Sequence, residues 1–399
     1  MEYHQKMRRN LRLLFWGRAF LETKALLAII VLFYIHRGVS LEQVFYLNIV
    51  WSITSLITEI PSGYLADRLG LKRMMLLGSV LFFISVFGRY FVTGFWEFVW
   101  VFVVMASAFS CFSGTEEALL YESLKENGQQ QYMTKFNGRL FSARSLFRIA
   151  VPTIGAYIAK DLFEWQFLLV NSIDAIAAIV AFAIFLFLTE PYSKKSVAKR
   201  EIGIFKQSLE TIKEHPWMLR VVLNKFLVFY ALFFTARVHQ PLFIENGIST
   251  IWIGWFFLFV SFFSYIGTRH LGFLVEKFGS RRFLFWTAVA IIVFLVISIT
   301  SATPWIVFVG LLLVEVFSTI RDPAFSDLIN HCVESGSRAT TLSNLNLIKG
   351  LLDIPILLLA GYVSSMGTHY PLMIGILTCL LALVVFPIKK TDESSCHTK

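Results

Sequence analysis

The chain has 399 residues, 56% hydrophobic and only 16% charged, against about 25% charged in an ordinary soluble domain. With a mean hydropathy of +0.67, it carries more apolar surface than a water-soluble fold of this length can bury, and such a fold is excluded. The net charge of +10 does not point to nucleic acid, because the basic residues gather in short polar stretches between apolar runs, as they do in membrane proteins.

A membrane-crossing helix needs about 20 mostly apolar residues. Six such stretches come first, at 14–36, 43–65, 74–91, 96–120, 141–158 and 165–188. A polar segment, 190–215, follows, with Lys194, Lys195, Lys199, Arg200, Lys206 and Lys213; its part 204–212 reads either as a surface helix or as plain linker. Six more stretches lie at 220–243, 251–274, 283–299, 305–329, 342–363 and 370–388. The expected fold is an all-α membrane protein of twelve transmembrane helices in two pseudo-symmetric bundles of six. Its parts are a first bundle at 1–189, a linker at 190–215, a second bundle at 216–390 and a tail at 391–399. Lys6, Arg8, Arg9 and Arg12 precede a run long enough to span, with no small-residue cleavage site, so the N-terminus reads as a membrane helix and not a cleaved signal.

Arg68, Lys72, Arg73, Lys125, Lys135, the linker bases, Lys277, Arg281, Arg282, Arg338, Lys389, Lys390 and Lys399 fall on one side; Arg37, Arg89 and Lys160 fall on the other. This bias puts both termini in the cytoplasm of a multi-pass plasma-membrane protein, the inner membrane for a bacterium. Cys111, Cys332, Cys379 and Cys396 form no CxxC pair, and no His/Cys cluster has ligand spacing, so neither metal nor cofactor is expected.

After the second span the chain reads GYLADRLGLKR, from Gly63 to Arg73; after the eighth it reads GFLVEKFGSRR, from Gly272 to Arg282. Gly, aromatic, Leu, small apolar, acid, base, apolar and Gly recur in order. Gly63 and Gly272 are expected to allow close helix packing, and Gly70 and Gly279 a tight turn at positive φ. The acids, Asp67 and Glu276, are suited to face a helix N-terminus.

This segment resembles the signature GxLaDrxGrkxx of the major facilitator superfamily, and with its second copy, the twelve spans and the basic linker the resemblance covers nearly the whole chain. Glu59-Ile60-Pro61-Ser62-Gly63, Ser113 through Tyr121, Arg321-Asp322-Pro323 and Arg338-Ala339-Thr340 also look like bacterial members. The resemblance implies two six-helix bundles that rock about a central site. It implies a cytoplasmic latch made of Gly63, Asp67, Arg68, Gly70, Arg73, Gly272, Glu276 and Gly279. Val151-Pro152-Thr153-Ile154-Gly155-Ala156 is similar, in its Pro and one Gly, to the GPxxGG motif of the family's drug antiporters; the arginine those antiporters place early in the fourth span has no counterpart between Trp96 and Gly114.

Charges at membrane depth are costly and mark function. The first span holds Arg18, Glu22 and Lys24, with Arg18 and Glu22 on one face, as an ion pair or as site residues. The fourth ends in Glu116 and Glu117, which read as a proton-carrying carboxylate pair or as partners of Arg139 and Arg144. The fifth holds Arg144 and Arg148, either an anion cradle or structural partners of the acids. The second half holds Lys225, Arg237 and His239, then Arg269 and His270, then Glu315, Arg321 and Asp322, then Lys349 and Asp353, the last two spaced to pair.

The resulting expectation is a monomeric, proton-coupled exporter of a small organic molecule, a drug or a metabolite such as a siderophore. The alternative is a proton-coupled uptake symporter for a small polar or anionic nutrient. A membrane-embedded enzyme would need a constellation such as HExxH or GxSxG, and neither occurs.

Overall fold

The computed structural model describes residues 2–147, 149–192, 216–332 and 338–389, and every regular element in them is helical. The chain divides into two compact units, Met1–Arg200 and Glu201–Lys399. Most of the expected linker and tail, 193–215 and 390–399, lies outside the described residues.

In the first unit the order is α1 (Glu2–Leu21), a 3-10 turn (Ala25–Ile29), α2 (Ile30–His36), α3 (Leu41–Leu69), α4 (Leu71–Gly88), α5 (Phe95–Phe112), α6 (Thr115–Glu126), α7 (Met133–Leu146), α8 (Val151–Ile158) and α9 (Glu164–Leu186). The second unit has α10 (Pro216–Glu245), α11 (Thr250–Arg269), α12 (Leu271–Phe278), α13 (Ser280–Thr300), α14 (Pro304–Cys332), α15 (Arg338–Ser364) and α16 (Tyr370–Val384). Among the described residues eight helical stretches are long and apolar enough to cross a membrane, and a ninth is the pair 41–59 and 61–69, bent by 46° at Pro61, which has no N–H to give the ladder. The remaining helices, α7–α8, α15 and the shorter apolar α16, fall where the sequence puts the other spans, so the set is consistent with twelve.

Four expected spans are interrupted, the eighth of them at His270 between α11 and α12. The first starts early, at Glu2, and breaks between Leu21 and Ala25. The fourth breaks at Gly114, whose φ of +70° no helix accommodates, which moves Glu116 and Glu117 from a helix end to the first turn of α6. The fifth divides into α7 and α8.

Small residues set the closest approaches. A Cβ on Gly17 of α1 would lie 2.0 Å from the Phe185 ring of α9, and these two helices enclose a core with Leu14, Phe112, Leu119 and Ala178. Large apolar side chains such as Trp96, Trp100, Ile176 and Trp286 are exposed, as lipid-facing residues must be.

Both copies of the repeated loop turn on a glycine at positive φ, Gly70 at +93° and Gly279 at +78°, each heading the next helix. Both also set the base over the aromatic one turn back: Arg68 lies 5.5 Å from the Tyr64 ring and Lys277 5.7 Å from the Phe273 ring. One expectation fails: nothing approaches a Cβ built on Gly272, so no close packing explains that glycine among the described residues. The carboxylate on the first turn of α4 is that of Glu190, which accepts from Leu71 N and Lys72 N, each at 2.7 Å.

Glu190 gets there through Asn10. The Asn10 amide donates to Thr189 O at 2.8 Å and to Ser123 Oγ at 3.1 Å, and accepts from Thr189 N at 2.9 Å, fixing the chain just before the capping acid. Replacing Glu190 with Ala is expected to cost about 1 kcal/mol, the usual worth of a cap, and to speed amide exchange at Leu71 and Lys72 while leaving the helix after Gly279 unaffected; hydrogen exchange in detergent measures both.

Candidate functional site

The break after α1 contains no Gly or Pro; its residues are Glu22, Thr23 and Lys24. Breaking a helix inside lipid strands backbone N–H groups at several kcal/mol each, so something else must satisfy them. Asp174 of α9 does so, accepting from Ala25 N at 2.5 Å and Leu26 N at 3.4 Å. It is buried, and Arg89 at the end of α4 stands 3.8 Å away to balance its charge. Neither residue is evident from the sequence: Arg89 reads as a loop residue and Asp174 as one acid in an apolar run. The signal was available, since a lone Asp in the middle of a span is expensive unless it has a task.

The opposite side of the turn is held by Gly155 of α8. A Cβ there would lie 2.0 Å from Ala25 O, so only glycine lets α8 reach this backbone. The glycine retained from the antiporter-like segment thus supports the break.

Around the break four charges meet. Arg18 contacts Glu22 at 2.8 Å, the pair its spacing predicts, and Glu116 at 3.7 Å. Lys24 contacts Glu22 at 2.9 Å, with its ammonium 5.2 Å from the Phe109 ring centre. Arg18, Glu22 and Glu116 are buried, while the Lys24 side chain keeps 28% exposure. Among the described residues two acids and two bases gather here. The unit therefore holds a polar and partly open cluster where the helix is interrupted, the setting in which broken helices of membrane transporters bind substrate and ions.

The expected Glu116–Glu117 pair does not form: successive residues of a helix point about 100° apart, and Glu117 is exposed while Glu116 is buried. Arg139 is exposed with its guanidinium 5.1 Å from the Phe136 ring. The Arg144 side chain and the whole of Arg148 lie outside the described residues.

In the second unit the charges are spread among separate partners. Lys349 and Asp353 pair at 2.9 Å, as their spacing predicts, and Tyr230 donates to Asp353 at 2.8 Å. Lys225 reaches Asp322 at 2.7 Å. Glu315 shares a helix with Asp322 but not its surroundings: it is buried beside His239 at 3.8 Å, whereas the Asp322 side chain is 66% exposed. His239 is fully buried, donates to Thr235 O at 2.9 Å and stacks on Phe256, as a packing histidine does. Arg237 lies 4.0 Å from the Phe233 ring centre. Arg321 is buried against Leu284 O and Thr287 Oγ1, the latter at 2.6 Å, and no described carboxylate pairs with it. Of the loop residues, Arg68, Arg73 and Glu276 are exposed and Asp67 is half-buried. Among the described residues no group of His, Cys, Asp and Glu can hold a metal ion.

Apolar spans, charges buried within them and an interrupted helix define a polytopic transport protein. The sequence matches the family described as Major Facilitator Superfamily over residues 18–354, and the chain belongs to it. It is a member of a transporter family rather than an enzyme. No curated protein matches the sequence. Its fold is similar to that of several solved transporters. A point mutant of the nucleoside transporter NupG matches with a TM-score of 0.74 at 14% identity over 95% of this chain and 98% of that one. A bacterial homologue of the iron transporter ferroportin, in an inward-facing state, gives 0.68 at 14% identity over 98% and 99%. The D-xylose-proton symporter gives 0.67 at 15% identity over 97% and 98%.

Replacing Asp174 with Asn leaves Arg89 buried against a neutral group and is expected to cost about 3 kcal/mol, as breaking a buried pair does. The double variant Asp174→Asn, Arg89→Gln should lose less than the sum of the two single changes in thermal unfolding. Gly155→Ala forces a methyl into Ala25 O and should cost about 1–3 kcal/mol by the same measurement.

Proposed function

We propose that this protein is a secondary active transporter that exports a small organic molecule, a drug or a metabolite, in exchange for protons, working as a monomer in the plasma membrane with both termini in the cytoplasm. The observation that carries this reading is the Arg18–Glu22–Lys24–Glu116 cluster at the interruption after α1. Arg18 serves two carboxylates at once, so a proton taken up by either Glu22 or Glu116 weakens its hold on that group and leaves it to the other. A substrate carrying polar or charged groups can compete for the same contacts. Proton and substrate would thereby be linked through one guanidinium, and a bundle closing around the protonated cluster would carry the proton from one side to the other.

Export is supported by the Gly155 seat on Ala25, which uses the glycine that the chain shares with the antiporter motif. Proteoliposomes loaded in turn with drugs, sugars, nucleosides and organic acids test the proposal. A substrate should leave against its own gradient only when an inward proton gradient is imposed on the matching orientation. Glu22→Gln and Glu116→Gln should each lower that driven flux at least tenfold. Flux indifferent to the pH gradient, or full activity in both variants, would overturn the proton-coupled version, and accumulation in the direction of the gradient would replace export by symport.

A further inference from the structure

We infer that the first unit binds an anionic phospholipid, of the phosphatidylglycerol type, in the groove between α1 and α7. The groove holds a cavity of about 290 Å³, and the described residues lining it include Arg12, Phe15 and Trp16 of α1, Phe136 and Arg139 of α7, and Leu120 of α6. Both arginines are exposed, and neither forms a hydrogen bond or an ion pair with another residue. The Arg139 guanidinium lies over the Phe136 ring, 5.1 Å from its centre. Their positions along the two helices match: Arg12 stands two residues before the apolar run at 14–36, and Arg139 two before the run at 141–158. A base at that point of a membrane helix sits at the level of the lipid headgroups, and the residues after it enter the hydrocarbon.

The other lining side chains supply a wall for hydrocarbon. Trp16 is 48% exposed, with its ring edge-on to Phe15 at 5.3 Å, and Leu120 is buried. The charge is one-sided in a way that selects the headgroup. Residues 3–21 contain no Asp or Glu, and neither do residues 127–160, so neither α1 beyond Glu2 nor α7 has a carboxylate to offer a choline ammonium. Of the acids of α6, Glu116 is held by Arg18, Glu122 by Lys125 and Glu126 by Tyr3, and Glu117 does not line the cavity. Arg8 and Arg9, both exposed, precede Arg12 on the same helix, and a basic cluster beside a membrane span attracts anionic lipid. A negatively charged phosphodiester with acyl chains meets both requirements of the groove. A free phosphate meets only the charge, and phosphatidylcholine only the wall.

The test is native mass spectrometry of the full chain in detergent with phosphatidylglycerol or phosphatidylcholine added, alongside thermal unfolding with each lipid and with inorganic phosphate. The wild type should retain phosphatidylglycerol over phosphatidylcholine and be stabilised by it, and inorganic phosphate should stabilise it far less. The double variant Arg12→Gln, Arg139→Gln should lower retention by about tenfold or more. Arg12→Lys, Arg139→Lys keeps both charges and should hold most of the lipid. Arg281→Gln, Arg282→Gln removes the same charge from the second unit and should leave retention unchanged. The assignment is overturned if the wild type shows no preference for phosphatidylglycerol, if inorganic phosphate stabilises equally, or if the Arg12, Arg139 glutamine variant retains the lipid undiminished. It is overturned equally if the lysine variant, or the variant at Arg281 and Arg282, loses as much as that glutamine variant does.

Discussion

The first unit is organised by one carboxylate placed against a broken helix. Asp174 supplies acceptors to Ala25 N and Leu26 N, and without it the interruption after α1 would leave these groups unsatisfied in an apolar surround. Its charge would be prohibitive alone, and Arg89 compensates it. Because the helix stops there, Glu22 and Lys24 project from non-helical backbone, where they gather with Arg18 and Glu116. A continuous helix would carry the Arg18–Glu22 pair one turn apart and nothing more.

The two units solve similar problems by different chemistry. Each uses an asparagine from its first long helix to hold the end of its last helix or the chain just beyond: Asn10 on Thr189, and Asn224 on Ala382 and Phe386. Each turns on a glycine of positive φ into the next helix. The first unit caps that helix with its own Glu190, whereas in the second the helix opens with Ser280, Arg281 and Arg282 beside a cavity. The polar groups in the membrane region follow the same division, concentrated at the break in the first unit and dispersed among Lys349–Asp353, Lys225–Asp322 and His239–Glu315 in the second.

The spans, the repeated loop and the pairs at four-residue spacing are legible in the sequence, because these depend on local periodicity. Arg18–Glu22 and Lys349–Asp353 form as spacing predicts. The break after α1 is not legible, since Glu22-Thr23-Lys24 has neither of the residues that interrupt helices by their own geometry; its cause lies 149 positions away at Asp174. Glu190 is hidden for the same reason, reading as the start of a polar linker while serving as a cap 119 positions back. Glu116 and Glu117 read as a pair only if the fourth span ends at them; instead Gly114 restarts the helix and sends the two carboxylates in different directions.

The interruption after α1 underlies the whole cluster, and backbone chemical shifts test it most directly. Solid-state NMR of the protein in lipid, with residues 18–30 assigned, should give helical Cα shifts through Leu21, coil-like values at Thr23 and Lys24, and a return toward helical values from Ala25. Unbroken helical shifts from Arg18 to Ile30 would contradict the account, because Asp174 would then have no open backbone to hold.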